Sequence, residues 1–260
     1  MRRAVRLVAR HARVAMRTLG EAIFGVASPA GRDRVKRIAG VLGMTEGVVP
    51  TLPTVGPDEL TSDGTPISLF GLEPRDGNVS LLEVTVLSRL VREHAPMAIF
   101  EIGTFDGRTT LNLAANAPDD AVVYTLDLPA NKPTAYALAP ADYHFVNKPA
   151  SGARLAGTPY AARVTQLYGD SATFDFSPYR AEFVFVDGSH AYEYVMSDSM
   201  RALELVGSGP GVIVWHDYAG WDGVTRALHE LAATDPRFAS LRWIRGTSLV
   251  LLVVGRGTRV

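Results

Sequence analysis

Residues Ile99–Ala114 read IFEIGTFDGRTTLNLA, and this stretch decides the fold. Apolar residues run into an acid at Glu101, glycines follow at 103 and 107, and helix formers take over from Arg108. A strand that enters a tight ligand-facing turn and leaves it as a helix is written in this order. Dinucleotide sites use G-x-G-x-x-G, whose middle glycine lets a pyrophosphate approach the backbone. Here the turn is Gly103-Thr104-Phe105-Asp106-Gly107, without that glycine. It is therefore expected to hold a ligand that lacks a pyrophosphate.

Working outward, short β-branched runs recur: Met97–Ile102, Ala121–Asp127, Arg163–Tyr168, Glu182–Asp187 and Gly211–Asp217. Helical patterns separate most of them, and another precedes the first. There Asn78 or Ser80 can cap a helix whose apolar positions include Leu81, Leu82, Val84, Leu87, Leu90 and Val91, with Pro96 at its exit. The last two runs, Leu241–Arg245 and Ser248–Val254, are separated only by Gly246 and Thr247, a gap that requires a hairpin. The pattern predicts an α/β protein: a Rossmann-like, doubly wound, mostly parallel seven-stranded sheet with an antiparallel C-terminal hairpin and an N-terminal helical extension. Ligands of such sheets sit at the carboxyl ends of the strands.

A chain of 260 residues, 47% hydrophobic, can bury a full core. A net charge of -1 gives no reason to expect a nucleic-acid partner. With no cysteine there is no disulfide framework, thiolate zinc site or cysteine nucleophile, and the cytoplasm is the default location. No apolar run approaches the roughly 20 residues of a membrane span. Met1–Val26 is different, because Arg6, Arg10, Arg13 and Arg17 fall on one helical face and Val5, Val8, Ala12, Ala15, Leu19 and Ile23 on another. This basic amphipathic helix is expected to dock on the body or on a second subunit of a homo-oligomer, with peripheral contact to an anionic membrane surface, or a disordered or targeting segment, as the alternatives. Gly47–Gly77, rich in proline, reads as an irregular connection packed over the body. Residues 1–77 are thus set apart from a ligand-binding domain at 78–260.

Within that domain, QLYGDSATF places Gly169, Asp170 and Ser171 just after one strand, an ordinary turn whose position makes it informative. Asp127 ends the strand before it, and its two acceptor oxygens suit a vicinal diol, although a polar strand end needs no ligand. In FVFVDGSHAYEYV, Asp187 ends a strand and His190 lies three residues on; in GPGVIVWHDY, His216 and Asp217 end the next. Two acids and two histidines are expected to converge on one rim of the sheet. The insertion Leu128–Ala162, rich in Pro, Gly and Tyr, reads as a lid and substrate-specificity element, or else as a structural crossover.

Glu101, the spaced glycines Gly103 and Gly107, and Asp127 together resemble class I S-adenosylmethionine-dependent methyltransferases. The resemblance implies that Glu101 and Asp187 contact the cofactor, that the glycine turn, with Thr104, leaves room for its amino-acid part, that Asp127 binds the ribose hydroxyls, and that Gly169, Asp170 and Ser171 meet the adenine. Asp187-x-x-His190 followed by His216-Asp217 is similar to small-molecule O-methyltransferases of the macrocin and mycinamicin type and to cephalosporin-hydroxylase-like proteins. There the acids bind magnesium and the histidine acts as base. By that resemblance Asp187, His216 and Asp217 are candidate ligands of Mg²⁺ or Mn²⁺, and His190, Asp187 and His216 candidate catalytic residues. A glutamate often stands where this chain has His216, and imidazole is a poor ligand for a hard cation, which points to a weakened or altered metal site. The resemblance implies methylation of a hydroxylated small molecule, a sugar or glycosylated metabolite.

The chemistry fits these residue types. An alcohol is a poor nucleophile at neutral pH, so either His190 takes its proton or a cation on Asp187 and Asp217 lowers its pKa. The competing classes are an NAD(P)-dependent oxidoreductase, which should show Tyr-x-x-x-Lys or a comparable hydride-transfer site, and a silent cofactor-binding module. The lysines, Lys36, Lys132 and Lys148, stand in no such setting.

Overall fold

A computed structural model describes Gly20 and residues 47–62, 64–73 and 75–255. Apart from Gly20, the basic helix expected over Met1–Val26 lies outside the described residues. The chain divides into two compact units, Met1–Gly47 and Val48–Val260, and the sheet lies in the second. Among the described residues no helix is long and apolar enough to cross a membrane.

The strands are β1 (Thr54–Val55), β2 (Ala98–Ile102), β3 (Val122–Asp127), β4 (Val164–Tyr168), β5 (Phe183–Val186), β6 (Gly211–Trp215), β7 (Arg242–Ile244) and β8 (Val250–Val254). Between them run α1 (Pro57–Leu60), α2 (Leu81–His94), α3 (Arg108–Asn116), α4 (Asp142–Val146), α5 (Tyr192–Val206) and α6 (Asp222–Thr234). The order across the sheet is β1-β7-β8-β6-β5-β2-β3-β4. β8 runs antiparallel to β6 and β7, and the other pairings are parallel.

Two details differ from the sequence reading. The sheet has eight strands, because Thr54–Val55, inside the expected irregular connection, pairs with Trp243 and Ile244. Trp243 N–H donates to Pro53 O (2.8 Å) and Arg245 N–H to Val55 O (2.9 Å). Two residues bracketed by Pro53 and Pro57 are too few to show an alternating pattern. The β7–β8 turn is also longer than two residues, spanning 245–249, with Gly246 at φ +81°.

Alternation along the central strands supplies both faces. Phe183, Phe185, Val212, Val214, Ile99 and Val123 pack with α2 and α3, whereas Phe100, Ile102, Val184, Val186, Ile213 and Trp215 pack with α5 and α6. Helix α2 starts at a reciprocal cap: Glu83 N–H donates to Ser80 Oγ (3.2 Å) and Ser80 N–H to Glu83 Oε2 (2.7 Å). It stops at Ala95, in the left-handed region at φ +45°, just before Pro96.

From β2 the chain winds outward through β3 and β4, then crosses back to lay β5 on the other side of β2. The β2–β5 junction is therefore the topological switch point, where open α/β sheets form their ligand crevice.

Candidate functional site

At the switch point the two loops touch. Gly103 stands at φ +102°, and a Cβ there would lie 1.9 Å from the carbonyl oxygen of Asp187. No other residue type fits so close an approach. Gly103 N–H donates to Leu126 O and Asp187 N–H to Ile102 O, each at 2.8 Å, so β2, β3 and β5 end in register around the turn. Gly107, at φ +85°, packs less tightly but still closely against Gly152 of the insertion: a Cβ would lie 2.8 Å from its Cα.

Beside this turn is a cavity of about 630 Å³ including open solvent. Of the candidate residues, Gly103, Asp127, Gly169, Asp170, Ser171, Asp187 and His190 line it. Glu101, beneath the turn, and Thr104 and Gly107, on the side of the turn away from the cavity, do not line it. Strand parity sends Glu101 to the α3 face, where it is fully buried; Oε2 accepts from Thr125 Oγ1 (2.5 Å) and Thr110 Oγ1, and Oε1 has no partner. Burial pushes its carboxyl up to about 8 against the pull of these hydroxyls, with Asp187 and Asp127 adding to the rise. Thr104 bonds Thr125 Oγ1 (2.7 Å) and Gln166 Nε2 (2.9 Å).

The insertion covers the cavity and is strapped to the strand ends by polar contacts. Lys148 Nζ (2.7 Å) and Ser151 Oγ donate to Asp127 Oδ2, and Ala135 N–H donates to Asp170 Oδ2 (2.6 Å). Tyr194 of α5 donates to Asp170 Oδ1 (2.9 Å). Leu138, Phe145 and Val146 supply apolar lining.

The two acids and two histidines do converge. His190 donates from Nε2 to Asp217 Oδ2 (2.9 Å), and the Nδ1 of His216 lies 3.0 Å from Asp187 Oδ1 and 3.1 Å from Asp217 Oδ2. Asp217 holds the left-handed conformation, φ +68°, that turns its carboxylate back over the rim. Ligand atoms of Asp187, His216 and Asp217 all lie within 4.8 Å of one another, a spacing that can hold a metal ion.

Three neighbours of this cluster escaped the sequence reading. Asp142, on α4, meets His190 Nδ1. Trp221 stacks on the His190 ring with centroids 4.0 Å apart and planes 15° from parallel. Glu83 reaches His216 Nε2 (3.4 Å) while its Oε1 accepts from Ser248 N–H (2.7 Å) and Oγ (2.8 Å). Ser80-x-x-Glu83 is legible as a cap, which hides the second role; Asp142 has no local signal.

The charges are mutually dependent. Burial disfavours a charged His190, but hydrogen bonds to Asp142 and Asp217 outweigh it and push the imidazole up to about 10. His216 is likewise raised well above its ordinary value by Asp217 and Asp187, against burial. Burial opposes ionisation of Asp217 and Glu83, yet their histidine partners hold both carboxyls far below the usual range. At neutral pH the cluster is a network of imidazolium and carboxylate.

Residues 100–218, a little under half of the chain, match the family model described as a methyltransferase domain. No curated protein matches the chain. Among solved structures, it is similar to the O-methyltransferase TomG from Streptomyces achromogenes, involved in tomaymycin synthesis and solved with SAM: 24% identity over 69% of this chain and 83% of that one, TM-score 0.49. It is also similar to the SAH-bound methyltransferase PaMTH1 from Podospora anserina (18%, 70% and 81%, TM-score 0.48) and to an O-methyltransferase from Bacillus cereus in complex with SAH (20%, 70% and 84%, TM-score 0.48). The segment that carries the glycine turn and the histidine–carboxylate cluster is thus the one that matches a methyltransferase domain.

Proposed function

We propose that this protein is an S-adenosylmethionine-dependent O-methyltransferase acting on a hydroxyl of a small molecule. The observation that carries the reading is the acidic glycine cradle at the switch point. Its backbones pack too closely for a side chain at Gly103, and Asp127 and Asp187 line the cavity on either side of it. Such a cradle favours a cationic ligand with a ribose diol, and S-adenosylmethionine carries a sulfonium, an ammonium and a ribose. The pyrophosphate of a nicotinamide cofactor would face Asp127, Asp170 and Asp187, which line the cavity.

In methyl transfer the acceptor oxygen attacks the methyl carbon, the carbon–sulfur pair leaves on sulfur, and the hydroxyl proton must be taken up. The covered cavity supports in-line positioning and exclusion of water. His190 stands on its rim as the proton acceptor. With carboxylates on both nitrogens it is already charged at neutral pH, so it acts as base only once a carboxylate is withdrawn. Asp217 is the one with a competing role, because Asp187, His216 and Asp217 fit a divalent cation and Glu83 backs His216 as an outer carboxylate. A cation bound there would supply a Lewis acid for the acceptor hydroxyl. An imidazole in the donor set suits manganese better than magnesium.

The acceptor class we infer is a sugar or glycosylated metabolite, on the resemblance carried by Asp187-x-x-His190 and His216-Asp217. The arginine-rich Met1–Val26 supports docking on a second subunit or on an anionic membrane surface. The reading is tested by incubating the purified protein with methyl-labelled S-adenosylmethionine and hydroxylated acceptors, aglycones and glycosides, and reading product mass. Label on an acceptor oxygen is expected. Hydride exchange with NAD(P) and no labelled product in any acceptor class would overturn it.

A further inference from the structure

We propose that Asp142 is a positioning residue that couples seating of the 128–162 insertion to the orientation of the His190 ring. The kinetic part of this inference rests on the reading of His190 as proton acceptor; the structural coupling does not.

A single carboxylate makes four contacts. Asp142 Oδ2 accepts from Ser189 Oγ (2.5 Å), from His190 N–H (3.1 Å) and from Ala139 N–H (3.2 Å), while Oδ1 meets His190 Nδ1. The Ala139 contact lies within the insertion and fixes the carboxylate on α4. The other three capture the loop after β5, 47 and 48 residues away in sequence. Asp142 is 3% exposed, and a carboxylate taken so far out of water persists only where its partners offset the desolvation. A lid held merely by packing would need no acid here, since Phe145 already seats α4 edge-on against Phe105, centroids 5.8 Å apart.

The geometry assigns the acid to the ring instead. With Nδ1 on Asp142, one face on Trp221 and Nε2 on Asp217, rotation of the imidazole is fixed from three sides. A base held by a third group in this way recurs wherever a side chain must present one nitrogen to a substrate. Asp142 is the contact of the three that arrives with the insertion, together with the edge of Phe145 (centroids 6.3 Å apart), so the ring is fixed from every side only when the cavity is covered. The other straps, Lys148 and Ser151 on Asp127 and Ala135 on Asp170, do not touch His190. They keep the insertion seated when Asp142 is changed only to its amide.

This separation gives the test, carried out on the full chain. In Asp142→Asn the amide oxygen still accepts from the loop, but an NH₂ faces Nδ1. We expect kcat to fall on the order of a hundredfold, the scale of general-base catalysis, with KM for acceptor and Kd for S-adenosylmethionine within about threefold. Hydrogen exchange across 128–162 should stay near wild type. Asp142→Ala and His190→Ala should each raise that exchange, and the double variant should raise it no further than the larger single change, the signature of one shared interaction. Retention of kcat within about threefold in Asp142→Asn, a parallel loss of kcat and cofactor affinity, or additive exchange effects would each overturn the proposal. Should the wild type transfer no methyl group, the function proposed above fails, and the exchange cycle still decides whether Asp142 and His190 are coupled.

Discussion

Replacing Gly103 with alanine perturbs the point where the glycine turn and the Asp187 loop meet. Two costs can be separated. The first is conformational: φ +102° lies where an L side chain is strained, at about 1–2 kcal/mol. The second is steric. The new Cβ would sit 1.9 Å from Asp187 O and 2.6 Å from its carbonyl carbon, so one backbone must retreat by at least about 1 Å before the contact becomes tolerable. That retreat pulls on the Asp187 N–H to Ile102 O and Gly103 N–H to Leu126 O bonds, each worth about 1 kcal/mol net. The sum is about 3–4 kcal/mol. Gly157→Ala is the control, because it stands at φ +75° with nothing within 4 Å of its Cβ and should show the conformational cost alone. Urea unfolding followed by tryptophan fluorescence reads both, and calorimetry reads cofactor affinity in whatever remains folded. Gly103→Ala should lose about 2 kcal/mol more than Gly157→Ala and bind S-adenosylmethionine more than tenfold weaker, since a displacement of about 1 Å at a site can cost a hundredfold. Equal stability of the two variants, with cofactor affinity unchanged in Gly103→Ala, would refute the reasoning.

Further outcomes follow from the buried charges. Glu101 keeps its proton to about pH 8 in the folded chain but only to about 4.5 when unfolded, so the native state holds more protons across that window and stability falls as pH rises through it. Glu101→Gln should flatten this decline and gain on the wild type by up to a few kcal/mol at pH 8; parallel curves in pH-dependent urea unfolding would contradict the assignment. The His190 imidazole should remain protonated at pH 8 by ¹⁵N NMR, and Asp217→Asn should move its titration down by removing one of the carboxylates that hold the charge; an unshifted midpoint would exclude Asp217 as its partner. Chelation should lower turnover in part, with manganese restoring it, and Asp187→Asn should abolish that response; indifference of turnover to chelator and to added metal would remove the cation from the mechanism.

Much of this was legible from residue order because buried parallel strands announce themselves. Phe183–Val186 and Gly211–Trp215 are continuous apolar runs, and the residues that close each strand, Asp187, His216 and Asp217, had to share a rim once the strands were parallel. What escaped depends on contacts distant in sequence. Thr54–Val55 becomes a strand only because Trp243 and Ile244 receive it. Asp142 acquires its role from a loop 47 residues on, and nothing in ALAPADYHF marks it. Glu101 illustrates the opposite case. Its place at the end of β2 suggested direct contact with ligand, yet alternation along the strand turns it toward Thr110 and Thr125 beneath the turn.

The central claim, that the acidic glycine cradle holds S-adenosylmethionine, is tested most directly by equilibrium calorimetry of the full chain with S-adenosylmethionine, S-adenosylhomocysteine and NAD. Binding of the first two is expected, with NAD weaker than either and a loss of more than tenfold for both in Asp127→Ala, on the scale of charge-assisted hydrogen bonds to the ribose. NAD binding tighter than S-adenosylmethionine, or an Asp127→Ala variant that is folded and binds like wild type, would contradict it.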